Sequence, residues 1–152
     1  MDSALIAIAG TLLGSAVTHA FQRNTATHDR VFAAQQQLRS DRMAVYSDFA
    51  GALTELRRGE QDRWHRKNED AGSTAYIEAR TEAYRLRGIA LHALFRVQLI
   101  ASAQELIDAA QDAFTVTTTV HKASDRAELS TLGTRSREVV ERFIELASSD
   151  VQ

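Results

Sequence analysis

The chain of 152 residues contains no proline and no cysteine. At the usual frequency of about 5%, a chain of this length would hold roughly seven or eight prolines. Because proline breaks helices, its absence favours long uninterrupted helices. The absence of cysteine excludes disulfides, thiolate zinc sites, iron–sulfur clusters and cysteine nucleophiles. No strand periodicity competes with the helical pattern, so we predict an all-α fold.

Neither sign of charge is in strong excess. The chain has 18 Lys+Arg and 20 Asp+Glu, for a net charge of -2. Proteins that bind nucleic acid through its phosphates usually carry a clear basic excess. The charge balance therefore argues against nucleic acid as a partner.

The N-terminal segment, residues 3–22, contains no Asp, Glu, Lys or Arg. Its apolar run Ala4–Phe21 would span about 27 Å as a helix, close to the roughly 30 Å hydrocarbon core of a bilayer. We therefore predict a transmembrane anchor over residues 3–22. A cleaved signal peptide is disfavoured because Asp2 stands where a basic segment is expected. Burial of this helix in the core of a soluble bundle is the remaining alternative.

The charges that flank this segment predict its orientation. Only Asp2 precedes it, whereas Arg23, Arg30, Arg39 and Arg42 follow it. Basic flanks stay in the cytoplasm. We thus expect a single-pass protein of the cell (inner) membrane, with its N-terminus outside and residues 23–152 in the cytoplasm.

Small residues within the predicted anchor suggest a contact between helices. Gly10 and Gly14 form a G-x-x-x-G pair, and Ala7 and Thr18 fall on nearly the same face. Such faces allow helices to approach closely in lipid. A polar stripe lies beside this face and would line a narrow pore in an oligomer. Its members are Thr11, Ser15, Thr18 and Gln22.

Beyond the anchor, apolar residues recur at helical spacing. The pattern predicts helices over about 29–58, 74–120 and 126–147, joined into an antiparallel three-helix cytoplasmic bundle. Between the first two, residues 57–73 are strongly charged and are predicted to form a loop. Within it, Arg63, Trp64 and Arg66 combine basic and aromatic side chains that are common in protein interfaces, so we predict a protein-contact tip there.

Motifs for catalysis or metal binding are missing. The five histidines lack ligand spacing, and the sequence contains no phosphate-binding loop and no nucleophile motif. We therefore predict that the protein is not an enzyme. We also predict no catalytic residues, metal site or cofactor, and no small-molecule substrate is inferred.

Two segments carry a resemblance to a known group of proteins. The pattern of residues 39–53, with Arg42, Tyr46, Phe49 and Leu53, and the later helical stretch 94–110 resemble uncharacterised small single-pass membrane-anchored helical proteins common in actinobacteria. The resemblance implies the same architecture of anchor and bundle. It implies no particular activity.

These observations favour a non-enzymatic, membrane-anchored scaffold or accessory protein. It would act through homo-oligomerisation or by docking on a membrane protein complex, with the lipid bilayer as a further partner. One alternative is a small oligomeric pore or holin-like protein. Another is a soluble four-helix bundle that serves as a binding module.

Overall fold

The computed structural model describes the backbone of residues 2–152 and the side chains of residues 30–152. Its helices are α1 (Asp2–Glu69), α2 (Thr74–Ile100), α3 (Gln104–Thr118) and α4 (Arg126–Asp150), with a 3-10 turn at Val120–Lys122. No strand occurs in residues 2–152. The predicted all-α class is therefore confirmed.

The chain divides into two compact units, Met1–Ser40 and Asp41–Gln152. In the first unit, the described side chains of residues 30–40 are all exposed. The predicted contact positions of the N-terminal segment lie outside the described side chains, as does its polar stripe. These positions are Ala7, Gly10, Thr11, Gly14, Ser15, Thr18 and Gln22.

The core of the second unit draws on all four helices. Phe49 of α1 and Phe143 of α4 are fully buried and meet edge to face, with ring centroids 5.0 Å apart. Alanines supply much of the buried surface of α2 and α3, including Ala90 and Ala110. A smaller apolar cluster surrounds the buried ring of Trp64.

The predicted loop at residues 57–73 requires correction, because α1 continues through most of it to Glu69. Gly59 does not break the helix. A Cβ at this position would lie 2.6 Å from Leu86 Cδ1, so glycine permits close approach of α1 and α2. The chain turns only after Glu69, where Asp70 Oδ1 accepts a hydrogen bond from the Gly72 amide at 2.8 Å.

The predicted helix over residues 74–120 also requires correction, since α2 ends at Ile100 and α3 begins at Gln104. Neither proline nor glycine marks this break. Arg42 Nε of α1 donates to the Ile100 carbonyl at 3.2 Å, and Ser102 Oγ donates to the Asp150 carboxylate of α4. Hydrogen bonds from distant parts of the chain thus satisfy polar groups at the break.

The predicted membrane localisation is not supported. No helix in the part of the chain that the structure describes is both long enough and apolar enough to cross a bilayer. This finding argues against the predicted single-pass inner-membrane protein with an external N-terminus, and we correct that prediction here.

Candidate interaction surface

Helix α2 exposes a row of large apolar side chains. Ile77, Tyr84, Leu91, Phe95 and Leu99 follow one another at steps of seven, seven, four and four residues. At 3.6 residues per turn, these steps keep the side chains on one face. Leu99 is 87% exposed, and the others are 36–54% exposed. We call these five residues, together with the exposed Gly88 among them, the outer face of α2.

The opposite face of α2 packs on the core and is dominated by alanine. Its buried members are Ala79, Ala83, Ala90, Ala93, Leu94 and Val97. An ordinary surface helix has one apolar stripe, which it buries, and a polar opposite side. Helix α2 has two apolar faces and buries only one of them within the chain. Large contiguous apolar patches on protein surfaces commonly mark binding sites.

Arginines beside the outer face are already paired with acidic residues of the same chain. Arg85 Nη2 lies 2.6 Å from Glu82 Oε1, and Arg96 Nη1 lies 2.8 Å from Asp48 Oδ2. These pairs neutralise part of the charge beside the outer face, and Arg80 lies over the ring of Tyr76. The surface therefore suits an apolar partner surface better than a polyanion.

A buried carboxylate holds α2 to α1 and the 3-10 turn. Glu60 is fully buried, and its Oε1 accepts a hydrogen bond from Arg87 Nη2 at 3.1 Å. The same Arg87 atom donates to the Thr118 carbonyl at 3.0 Å. Arg63 Nη1 lies 3.5 Å from Glu60 Oε2, and His121 Nδ1 lies 2.8 Å from that oxygen without hydrogen-bond alignment. We call these side chains of Glu60, Arg63, Arg87 and His121 the Glu60 cluster.

Burial dominates the electrostatics of the Glu60 cluster. Desolvation raises the pKa of Glu60, against the opposing effect of Arg87 and Arg63. Burial, followed by the positive charges of Arg63 and Arg87, lowers the pKa of His121 to about 4. His121 is therefore neutral at physiological pH. The cluster joins three elements, and its carboxylate is inaccessible to an external substrate.

The predicted contact tip does not form one exposed surface. Trp64 is buried, and its Nε1 donates to the Ala123 carbonyl at 2.7 Å. Arg63 lies in the Glu60 cluster and also places its guanidinium 5.3 Å from the centroid of the Tyr84 ring. Arg66 is exposed and forms ion pairs within α1. Two of the three side chains thus serve packing inside the chain.

Within the described residues, no three His, Asp or Glu side chains are grouped to hold a metal ion. The prominent surface feature is instead the outer face of α2. Its spacing was present in the sequence. The periodicity of the sequence did not distinguish it from the buried apolar positions of the same helix.

A comparison with protein families finds a match for the compact unit Asp41–Gln152. The family model described as KilB plasmid transfer protein matches residues 43–151. The chain belongs to this KilB family. The match falls within the unit Asp41–Gln152 and includes the whole of α2. Neither a curated protein nor a solved structure matches the chain significantly.

Membership of the KilB family replaces the looser resemblance drawn from residues 39–53 and 94–110. Nothing in the comparisons connects the chain with the actinobacterial membrane-anchored proteins of that resemblance. The family description links the fold to plasmid transfer, and a helical fold of this kind fits a non-enzymatic accessory role.

Proposed function

We propose that this KilB-family protein is a non-enzymatic accessory component of plasmid transfer that works by binding protein chains. The binding surface is the outer face of α2. Its role is to assemble or position other components, and the chemistry of DNA processing belongs to other proteins. The observation that carries the proposal is the second apolar face of α2, which lies inside the family-matched segment.

The side chains of this face are better placed to bind a partner than to stabilise the fold. Leu99 and Phe95 contribute little to the core, since 87% and 51% of their surfaces remain accessible. Aromatic and large aliphatic side chains are frequent anchors at the centre of protein interfaces. We propose that this accessory protein acts through such anchors.

The proposal is tested by measuring plasmid transfer between donor and recipient cells. The native gene is deleted in the donor and replaced by the wild-type gene or by a Phe95→Lys variant. A lysine placed in an apolar interface is costly to desolvate, so we expect transfer frequency to fall to the level of the deletion. Protein levels in the donor are compared by immunoblotting.

The matched control is Ile89→Lys. Ile89 lies on α2 and is 46% exposed, but it falls outside the outer face. We expect this variant to support normal transfer. Equal transfer by wild type and Phe95→Lys, at equal protein levels, would contradict the proposed role of the outer face.

A further inference from the structure

The middle of the outer face is a glycine whose presence the single chain does not explain. Gly88 lies deep within α2 and is exposed, and a Cβ added to it would meet nothing within 4 Å. It has no positive φ angle that would require glycine. In a helix interior, glycine is about 1 kcal/mol less favourable than alanine. Gly59 differs, because there the neighbouring Leu86 fills the space of a side chain.

The apolar residues of the outer face are arranged about Gly88. Ile77 and Leu99 each lie eleven residues from it, on opposite sides, and Tyr84 and Leu91 lie one turn away. A face centred on a residue without a side chain is suited to two identical helices that cross at that residue. In a two-fold contact, each copy presents the same surface to the other.

We propose that the outer face of α2 is covered by α2 of a second copy of this chain, with the two helices crossing at Gly88. This inference rests on the proposed function and names the first partner of that surface. At the crossing point, two glycines allow the helix axes to approach the lower end of the usual 8–10 Å separation. An antiparallel pair places Ile77 beside Leu99 of the partner subunit.

The area of the outer face makes up a large part of what a dimer needs. At about 200 Å² for each fully exposed large side chain, its exposed fractions amount to roughly 500 Å² per copy. Aliphatic portions of the flanking side chains add to this area. A stable interface of standard size buries about 800 Å² per partner. The outer face thus supplies more than half of the surface that a dimer needs.

The charges of the rim also permit self-pairing. Two copies brought together would juxtapose basic rims, and free arginines would repel one another. Arg85 and Arg96 are paired with Glu82 and Asp48 in the same chain, and Arg87 is directed to the buried Glu60. Three of the four arginines of α2 thus have acidic partners within the chain, and the fourth, Arg80, lies 5.8 Å from the centroid of the Tyr76 ring.

The absence of cysteine allows a direct test on the full-length protein. A single Gly88→Cys substitution places a thiol at the crossing point, where it meets the same thiol of the second copy. The open space at Gly88 accepts this side chain, and circular dichroism melting verifies the fold. Gly51→Cys is the matched control, because Gly51 is also exposed, helical and free of neighbours within 4 Å of a Cβ.

Under mild oxidation at micromolar protein, we expect Gly88→Cys to form disulfide-linked dimers on the order of tenfold faster than Gly51→Cys, or more. The reason is that pairing raises the effective thiol concentration to the millimolar range. Adding Phe95→Lys to Gly88→Cys is expected to remove this advantage. Equal crosslinking rates at positions 88 and 51 would overturn the inference, as would an advantage that survives Phe95→Lys.

Crosslinking and plasmid transfer separate this inference from the proposed function. If position 88 shows no advantage while Phe95→Lys abolishes transfer, self-pairing is overturned and the face binds a different protein. If position 88 crosslinks selectively while Phe95→Lys transfers normally, self-pairing stands and the role of the face in transfer fails.

Discussion

The two faces of α2 have similar apolar character but different environments. The inner face uses small residues such as Ala83 and Ala90, which bring α2 close to the core. The outer face uses large residues such as Phe95 and Leu99, which remain exposed. A helix selected for folding alone would bury its large apolar side chains and expose its small ones. Helix α2 has the opposite arrangement. The inner face therefore contributes to the fold, and the exposed outer face is the one that we propose for binding.

The largest effect is expected from matched leucine truncations on the two faces. Leu94 is 5% exposed and Leu91 is 36% exposed, and they lie three residues apart on α2. Leu94→Ala leaves a cavity and should lower the free energy of unfolding by about 2–4 kcal/mol. Leu91→Ala should lower it by less than about 1 kcal/mol in dilute protein. Urea unfolding measures both, and equal losses would contradict the distinction between the faces.

A smaller loss is expected when α2 is detached from the Glu60 cluster. Arg87→Ala removes a hydrogen bond to Glu60, whose carboxylate is fully buried, and should cost about 2–3 kcal/mol. Combining it with Glu60→Gln should restore part of this loss, because the buried charge is then absent. The control is Arg85→Ala, which breaks an exposed pair and should change stability much less than Arg87→Ala. Similar losses for both arginines would contradict the role of the cluster.

The pH dependence of stability should report on His121. Its pKa of about 4 in the folded chain lies below the unfolded value of 6.5, so the unfolded chain binds more protons between these values. Stability should therefore fall as the pH is lowered from about 6.5 to about 4, by roughly 1–3 kcal/mol. Three cationic groups face His121 and disfavour its protonation. They are Arg63 of α1, Arg87 of α2 and the adjacent Lys122.

Glu60 faces the same imidazole and acts in the opposite direction. Its raised pKa favours proton uptake by the folded chain, which offsets part of the loss at low pH. The contribution of His121 is isolated by comparing wild type with His121→Gln in thermal melts across this pH range. The stability of wild type relative to His121→Gln should rise as the pH is raised from about 4 to about 6.5. A difference that does not change with pH would contradict the assignment.

The smallest effect concerns the two exposed helical glycines. Gly88→Ala and Gly51→Ala should each stabilise the single chain by up to about 1 kcal/mol, because both sites have open space for a Cβ. Only Gly88→Ala should also weaken self-association, and only modestly, since the added methyl groups widen the crossing within the usual helix separation of about 8–10 Å. Sedimentation equilibrium measures this effect. Equal dimer dissociation constants for both variants would remove Gly88 from the interface.

Hydrophobic periodicity predicted the all-α class but misjudged residues 57–73. In that stretch, the inward positions of α1 include Glu60 and Trp64, both of which are buried. A buried carboxylate matched by distant arginines carries no hydrophobic signal. Gly59 lies within α1 in this stretch, where its lack of a side chain permits the contact with Leu86. These features depend on the packed arrangement of α1 against α2.

The break between α2 and α3 could not be predicted from local sequence. The chain leaves the helix at Ala101 because contacts from Arg42 and Asp150 stabilise the corner, and both residues are remote in sequence. The outer face of α2 was visible as a spacing of apolar residues. Its exposure could not be predicted, because the alanines of the inner face are also apolar. Periodicity alone therefore did not show which side of α2 is buried.

Hydroxyl-radical footprinting of the full-length protein tests most directly whether a second copy covers the outer face. Tyr84 is 54% exposed in the single chain, as is Met43, which lies on α1 and serves as the internal reference. In wild type, we expect Tyr84 to be oxidised slowly relative to Met43. In Leu99→Lys, whose substitution lies about four helical turns from Tyr84, we expect Tyr84 to be oxidised several-fold faster. The same rate of Tyr84 oxidation in both proteins would contradict a covered outer face.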